Sequence, residues 1–510
     1  MRVRPTSGES REVDLSDRSS SDQRRIAVLG LGHVGLPTAL GFVEMGWEVI
    51  GADDDAAKVA MIESGQASFY EPGLGDLLAR GLASGRLTLT PCVEEAVRAA
   101  TILFVCVGTP QKDSGEADLS QVEAIVRIIA RNLNGYKLIV EKSTVPAITA
   151  QWIKKTVARF AKLADAPGGL HAEFDLASNP EFLQEGKAVE NIFHPDRVVV
   201  GVESERARAL LERLYQPLGC PMLFTNISTA ELTKHAANAF LSTKISFINM
   251  VADICEAVGA DVSQVALGLG LDPRIGREFL NAGIGFGGYC FPKDLRAFMH
   301  LAREHGVDCG LLKEVENINL RRAEVFLKKV RQTVWVLQGK KMGVLGLAFK
   351  GGTDDIRESP ALRIVKTLLE EGARLRVHDP QAMEATRQEL PPQAEHLEYC
   401  SSPYEAAREA HALLILTDWQ EYRELDLPRL HELMEVPVIV DGRNLLNPEV
   451  ARSADFEYVD IGRNGPAKQW ATAVESTWLP NVENGRSKHN AGHEPPPTSS
   501  SPCEVPAVQS

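Results

Sequence analysis

The first part of the chain alternates short apolar runs with stretches of helical spacing. The runs are "RIAVLG", "WEVIGAD", "TILFVCV", "YKLIVEK" and "DRVVVGV". Each is rich in Val, Ile, Leu or Phe and shows no polar side to water. Such runs predict strands buried on both faces, and so a parallel sheet covered by helices on both sides. The pattern changes after about Pro217. "STAELTKHAANAFLSTKISFINMVADICEAVGA" keeps helical spacing without proline for about thirty residues, with Ser228 or Thr229 as the expected cap and Glu231 as its capping-box acid. So long a helix joins domains or builds a dimer interface. After Gln338 the alternation returns. "KKMGVLGLAFK" reads as strand then loop, and "SPALRIVKTLLEEGA" as a helix with Pro360 near its start and Gly372 as its stop. "RLRVHDP", "HALLILTD" and "VPVIVDGRN" read as further strands.

The fold class expected is α/β: two Rossmann-like, doubly wound domains at residues 24–217 and 337–478, joined by a helical domain at 218–336. Residues 1–23 are Ser-rich and charged, and 479–510 include "HEPPPTSSSP"; both tails are expected to be disordered. A length of 510 residues fits such a division, since it exceeds what one core serves.

The formal net charge of -14 argues against nucleic acid or an anionic membrane as the main partner, while leaving room for a local basic pocket. None of the eight cysteines forms a CxxC pair, so no metal site and no disulfide framework is expected. The N-terminus has no apolar signal region, and no run is long enough to span a bilayer. A cytoplasmic, reducing setting is the reading.

Chemistry enters with "RIAVLGLGHVGLPTALGFVEMGWEVIGADDD". It holds Gly30, Gly32 and Gly35 in a GxGxxG pattern, after a strand and before a helix. Gly30 suits a tight turn, Gly32 the approach of a pyrophosphate, and Gly35 the packing of helix on strand. The helix N-terminus then faces the phosphates. Asp53 ends the second strand and can accept from both ribose hydroxyls; a 2'-phosphate would meet its charge. NAD is therefore the cofactor expected. Thr109 in "VCVGTP" and Thr144 in "EKSTVP" end later strands and are candidate cofactor contacts, or ordinary polar turn residues.

The second α/β half lacks the glycine pattern. Phe349 and Lys350 stand where a pyrophosphate would need small residues, so no second dinucleotide is expected there. Lys350, Arg357 and Arg443 each read equally as surface cations. Three of them near strand ends point to a nucleotide-shaped anion site. Between the halves, "NAGIGFGGYCFPKDLRAF" sets Cys290 in a glycine-rich loop with Lys293 and Asp294 behind it. Taken alone, that thiol reads as a buried loop cysteine.

Together these motifs resemble the nucleotide-sugar dehydrogenases, the UDP-glucose/GDP-mannose dehydrogenase family. The resemblance covers about residues 24–475 and rests on "VLGLGHVGLP", "VCVGTPQKDSGEADLS", "EKSTVP", "SNPEFLQEG", "HPDRVVVG", "AELTKHAANAFLSTKISFIN", "RIGREFLNAGIGFGGYCFPKDL", "LGLAFKGGTDDIRESPA" and "DGRN". It implies oxidation of a sugar CH2OH to a carboxylate with two NAD+. It implies Cys290 as nucleophile, adding to the aldehyde and passing through a thioester, with a nearby cation lowering the thiol pKa. Lys234 and Asn238, on one helical face, would hold the oxyanion. Asp294 would orient water, and Glu181 would do acid–base work. Val34, Lys58, Glu185, Lys293 and Arg357 would join the glycines and Asp53 on the cofactor side. Glu181, Phe182, Leu183, Glu185, Lys234, Asn238, Phe279, Phe286, Gly287, Phe349, Lys350 and Arg443 would hold the sugar nucleotide. Gly285, Gly287 and Gly288 would let backbone lie against it. Arg274 would reach in from a partner subunit, making the protein at least a homodimer.

UDP-glucose is the expected substrate, because "GTPQKDSGEADLS" and "NAGIGFGGYCFPKD" read closest to that member; GDP-mannose and UDP-N-acetyl-hexosamines are the sister choices. A two-electron hydroxyacid dehydrogenase would need neither Cys290 nor the second half. An idle NAD-sensing or assembly protein would not need the intact Cys290, Lys234, Asn238 and Asp294. Two features depart from the family. Tyr289 stands where serine is usual, with an expected effect on the pocket beside the thiol. "KGGTDD" has two glycines in a loop where many relatives are bulkier.

Overall fold

The computed structural model describes residues 25–161, 173–392 and 396–463. The two tails expected to be disordered lie outside the described residues. The first sheet has eight strands: β1 (Arg25–Leu29), β2 (Glu48–Ala52), β3 (Leu87–Thr90), β4 (Ile102–Val105), β5 (Lys137–Glu141), β6 (Phe174–Ser178), β7 (Val198–Val202) and β8 (Met222–Thr225). Their spatial order is β3-β2-β1-β4-β5-β6-β7-β8. The second sheet comprises β9 (Lys341–Leu345), β10 (Arg374–His378), β11 (Leu397–Tyr399), β12 (Ala412–Ile415), β13 (Val438–Asp441) and β14 (Glu457–Val459), ordered β11-β10-β9-β12-β13-β14.

Both sheets are buried on two faces. Ile26, Val28 and Phe104 pack into one cluster, while their chain neighbours Ala27, Leu29 and Val105 pack into another on the opposite face. That period of two is the strand pleat. The expectation of an all-parallel first sheet needs one correction: β7 runs antiparallel to β6. The chain thereby leaves β6 and enters β7 at the same end of the strands. Residues 179–197 stay at the carboxyl ends of the parallel strands, where ligands bind in such folds.

The central helix runs from Ile227 to Val258 and stops at Gly259, which has φ 74°. Its cap is Asn226, whose side chain accepts from Thr229 N at 2.8 Å; Ser228 and Thr229 lie inside the helix. Glu231 makes no capping box. It turns inward and accepts from Ile148 N at 2.9 Å and Ala150 N at 3.0 Å. Ile248 and Ala252 of this helix share a core with Phe326 and with Met342 and Val344 of the second sheet. Among the described residues, no helix is long and apolar enough to cross a membrane.

Candidate active site

β1 leads through Gly30 into the helix Gly35–Glu44. Gly30 has φ 97°, a conformation that favours glycine. A Cβ on Gly35 would stand 1.8 Å from the Gly30 carbonyl oxygen, so helix packs on strand only without one. At Gly32 a Cβ would meet nothing within 4 Å. That open space lies at the helix N-terminus, which favours an anion. Val34 is the N-cap, and its carbonyl accepts from the Thr38 hydroxyl at 2.6 Å. Asp53 accepts from Leu31 N at 2.8 Å and from Asp55 N at 3.1 Å, and Lys58 Nζ lies 3.0 Å from each of its oxygens. A carboxylate has about four acceptor positions. A ribose diol therefore reaches Asp53 by sharing or displacing Lys58, which is partly exposed. The residues fit a dinucleotide on those terms. Thr109 and Thr144 are joined, the Thr109 hydroxyl donating to the Thr144 carbonyl at 2.9 Å.

A cavity of about 850 Å³ opens between the loops of the two halves. Its wall includes Glu181, Phe182, Leu183, Glu185, Lys234, Asn238, Phe279, Phe286, Gly287, Cys290, Phe349, Lys350 and Arg443, so segments far apart in sequence converge there. Arg274 is outside it, exposed and paired with Asp272 at 2.6 Å. Arg357, Lys293 and Asp294 are also off the cavity wall. Phe279, with φ 64°, is held in a conformation that costs a bulky residue energy, a strain that clusters at functional sites.

Cys290 is not in a loop. It is the first residue of the helix Cys290–Glu304, where the helix dipole favours a thiolate. The expected lowering of its pKa is nonetheless reversed. Burial, then Asp294, Glu185 and Glu181, push the thiol up to about 12, and Lys234 opposes them without prevailing.

Several polar groups that act on the thiol are paired, while Glu185 Oε2 is buried without a partner. Lys234 Nζ lies 2.9 Å from Glu181 Oε1, both side chains buried. Burial would lower the lysine, but Glu181, Cys290 and Asp294 hold it above its ordinary value. Asn238, one turn along, donates to Asp294 Oδ2 at 2.6 Å, and Lys293 Nζ binds Asp294 Oδ1 at 2.6 Å. Burial would raise Asp294; Lys293, His235 and Lys234 together keep it below the usual range. Glu185 is pushed up to about 7 by burial and by Asp355, against Lys350 and Arg357. Lys350 has no carboxylate within ion-pair distance among the described residues, and burial lowers its pKa. Arg443 donates to the carbonyls of Leu416 (2.8 Å), Gly285 (3.1 Å) and Phe349 (2.7 Å), tying the Cys290 segment to the second half.

Three residues escaped sequence reasoning. Lys142, inside "EKSTVP", lines the cavity and donates to Asn179 Oδ1 at 3.1 Å. Its place just past β5 was the available signal. Asn319 and Arg322, one turn apart on the helix Gly310–Val334, pin the glycine-rich segment from behind. Asn319 bonds both Phe286 N (2.8 Å) and Phe286 O (3.0 Å), and Arg322 Nε donates to Gly283 O at 3.2 Å. The glycines Gly285, Gly287 and Gly288 line the cavity, and they serve packing as well. A Cβ on Gly285 would stand 2.6 Å from Asn319 Oδ1, and one on Gly288 2.7 Å from the Phe349 ring. Those glycines are also needed for the protein to close on itself.

Sequence models of the UDP-glucose/GDP-mannose dehydrogenase family match three stretches of the chain. They are the NAD binding domain at residues 24–219, the central domain at 228–321 and the UDP binding domain at 343–448. The UDP-glucose 6-dehydrogenase TuaD of Bacillus subtilis is 44% identical over 440 residues, 86% of this chain and 93% of that protein. A solved UDP-glucose dehydrogenase from the archaeon Pyrobaculum islandicum superposes with a TM-score of 0.79 at 38% identity, covering 88% of this chain and 99% of that one. A UDP-D-ManNAc dehydrogenase from Pyrococcus horikoshii superposes with a TM-score of 0.75 at 29% identity, over 87% of this chain and 100% of the other.

Proposed function

Because the chain belongs to the UDP-glucose/GDP-mannose dehydrogenase family, we propose that it oxidises UDP-glucose to UDP-glucuronate at the Cys290 cavity. The observation that carries this reading is the convergence of Cys290, Lys234, Asn238 and Glu181 on one cavity, which is also lined by Lys350, an ammonium with no carboxylate partner among the described residues. That ammonium suits a diphosphate. UDP-glucose is preferred among the sister sugars because the relatives acting on it share more of this sequence than the UDP-D-ManNAc enzyme does.

NAD+, held by Gly30, Gly32, Gly35 and Asp53, supplies the hydride acceptor when bound. The chain's own groups do the rest. Once the sugar C6 is an aldehyde, Cys290 Sγ adds to it and the thiol proton leaves. Glu181, Glu185 and Asp294, the carboxylates that raise the thiol, are the acceptors at hand. Lys234 Nζ and the free Asn238 amide hydrogen stabilise the tetrahedral oxygen. Asp294 accepts from Asn238 and Lys293, and so also positions the Asn238 amide. After the second oxidation the thioester is cleaved by water with Glu181 as acid–base group. In balance, one alcohol and one water become a carboxylate, two hydrides and three protons.

The test is NADH formed per molecule of limiting UDP-glucose. Two are expected, and none from Cys290→Ser beyond the aldehyde stage. One NADH from the wild type would end the thiol mechanism; none would move the substrate to a sister sugar nucleotide.

The assembly we infer is a dimer through the central helix. Phe240, Phe247, Met250, Ile254 and Val258 form an exposed apolar stripe along it, Phe240 and Val258 being 66% and 70% exposed. Phe247→Glu should then elute at the monomer position. The seven cysteines described are all free, which suits a reducing cytoplasm.

A further inference from the structure

Tyr289 stands directly before Cys290, yet it is absent from the cavity wall that holds Gly288 and Cys290. Its ring lies against two cations that are also off that wall. Arg357 Cζ lies 4.4 Å from the ring centroid and Lys293 Nζ 5.4 Å. Each cation has its own carboxylate. Arg357 donates to Asp355 at 2.8 and 2.7 Å, and Lys293 lies 2.6 Å from Asp294. The backbone is fastened at the same place, Gly288 N donating to Arg357 O at 2.9 Å. The series Asp355, Arg357, Tyr289, Lys293, Asp294 spans both halves, because Lys293 also reaches Thr109 Oγ1 at 3.4 Å.

Arg357 belongs to the second half but bears on the first. His33, between Gly32 and Val34, is lowered by burial and then by Arg357, with Asp355 and Asp354 opposing. The His33 ring is itself fixed, stacked on Phe69 at 4.1 Å. The Arg357 charge thus acts on a residue of the glycine-rich turn, and its ring partner Tyr289 is linked to the first half through Lys293 and Thr109.

We propose that Tyr289 is a positioning residue for the cofactor: set against Lys293 and Arg357, it holds Arg357 toward the glycine-rich turn and makes no contact with the sugar nucleotide. The proposal rests on the first half being the NAD site. It replaces the expectation that Tyr289 alters the pocket beside the thiol. Stacking under a guanidinium is worth about a threefold to tenfold change in an equilibrium.

The experiment measures two dissociation constants on the full chain. NADH is followed by energy transfer from protein to nicotinamide, and UDP by calorimetry. Tyr289→Ser should weaken NADH about threefold to tenfold and leave UDP within about twofold. Tyr289→Phe should match the wild type, and Tyr289→Leu, which keeps bulk without a π face, should match Tyr289→Ser. If Tyr289→Ser fails to fold, the Phe and Leu pair decides alone. Leu binding NADH like the wild type overturns the proposal, as does a parallel loss of UDP. Arg357→Ala separates the two layers. If it weakens NADH while the Tyr289 variants do not, Tyr289 is idle and the cofactor reading stands. If neither affects NADH, Arg357 does not serve the cofactor and the proposal falls with it.

Discussion

The two α/β halves repeat one backbone device and use it differently. In the first, Gly30 follows β1 with φ 97°, Gly30 N donates to Ala52 O at 2.8 Å, and Leu31 N donates to Asp53 at 2.8 Å. In the second, Gly346 follows β9 with φ 101°, Gly346 N donates to His378 O at 2.8 Å, and Leu347 N donates to Asp379 at 2.7 Å. The strand orders around the two turns also match over six strands. The difference lies in what fills the crevice. Gly32 leaves open space; its counterpart Ala348 is fully buried. Asp379 also accepts from Ala348 N, Gln381 N, Ala382 N and the Trp419 indole, and is 1% exposed. Asp53 keeps only a movable lysine on its outer side. The backbone therefore determines the shape of a nucleotide crevice, and side-chain filling determines whether a dinucleotide can enter.

The acids ending β5 and β13 repeat the contrast. Asp441 accepts from Arg443 N, Leu445 N, Leu446 N and Tyr458 OH. Glu141 accepts from Ser143 N at 2.9 Å, and its Oε2 is buried without a partner. Burial, then nearby Glu231, push Glu141 up to about 8 against its Ser143 bonds.

The sharpest way to break the comparison is to fill the open crevice. Gly32→Leu should weaken NADH by at least about a hundredfold through overpacking while UDP binds within about twofold. Loss of both ligands would show that the halves do not divide the ligands as argued. The reciprocal variant, Lys350→Ala, should weaken UDP about thirtyfold and spare NADH, since it removes one charge-assisted contact; calorimetry with both ligands decides. Next comes a matched pair. Asp379→Asn should lower the melting temperature by about 5 °C, because a saturated buried acceptor is lost. Asp53→Asn should lower it less and should weaken NADH, which Asp379→Asn should do only through unfolding. Equal melting shifts would contradict the different filling of the two turns.

The smallest effect concerns Glu141. Its folded pKa is raised above the unfolded value near 4.3. The neutral acid is therefore the favoured folded form. Its stabilising contribution is complete below about pH 4, falls as pH rises, and is lost through pH 8. Glu141→Gln should match the wild type below about pH 4 and melt at least about 2 °C higher at pH 8.5. A pH-independent difference would mean that the mutation acts through packing alone.

Much of this was legible in residue order. The glycine turn, Asp53, the buried runs of β1, β2, β4, β5, β7, β9, β10, β12 and β13, and the shared helical face of Lys234 and Asn238 are local patterns, and local patterns survive in a string. The inner strand β6, "FDLAS", was not predicted, and neither were the edge strands β3, β8, β11 and β14. Each edge strand is three or four residues long and only partly buried, so no continuous apolar run marks it. The cap of the central helix was misplaced for a related reason: Asn226, Ser228 and Thr229 all suit the role, and only backbone geometry chooses among them.

The sequence by itself determined the two nucleotide-type halves, the helix between them and a cysteine in a glycine-rich segment with Lys293 and Asp294 close behind it. Only the tertiary structure decided the rest. It put Cys290 at a helix start yet raised its pKa, turned Glu231 inward, assigned Asn319 and Arg322 to hold the glycine-rich segment, and left Tyr289 off the cavity wall. Each of those outcomes depends on which distant groups share a few ångströms once water is excluded. Burial and charge at that range come from partners dozens to hundreds of residues away, and spacing along the chain carries no record of them.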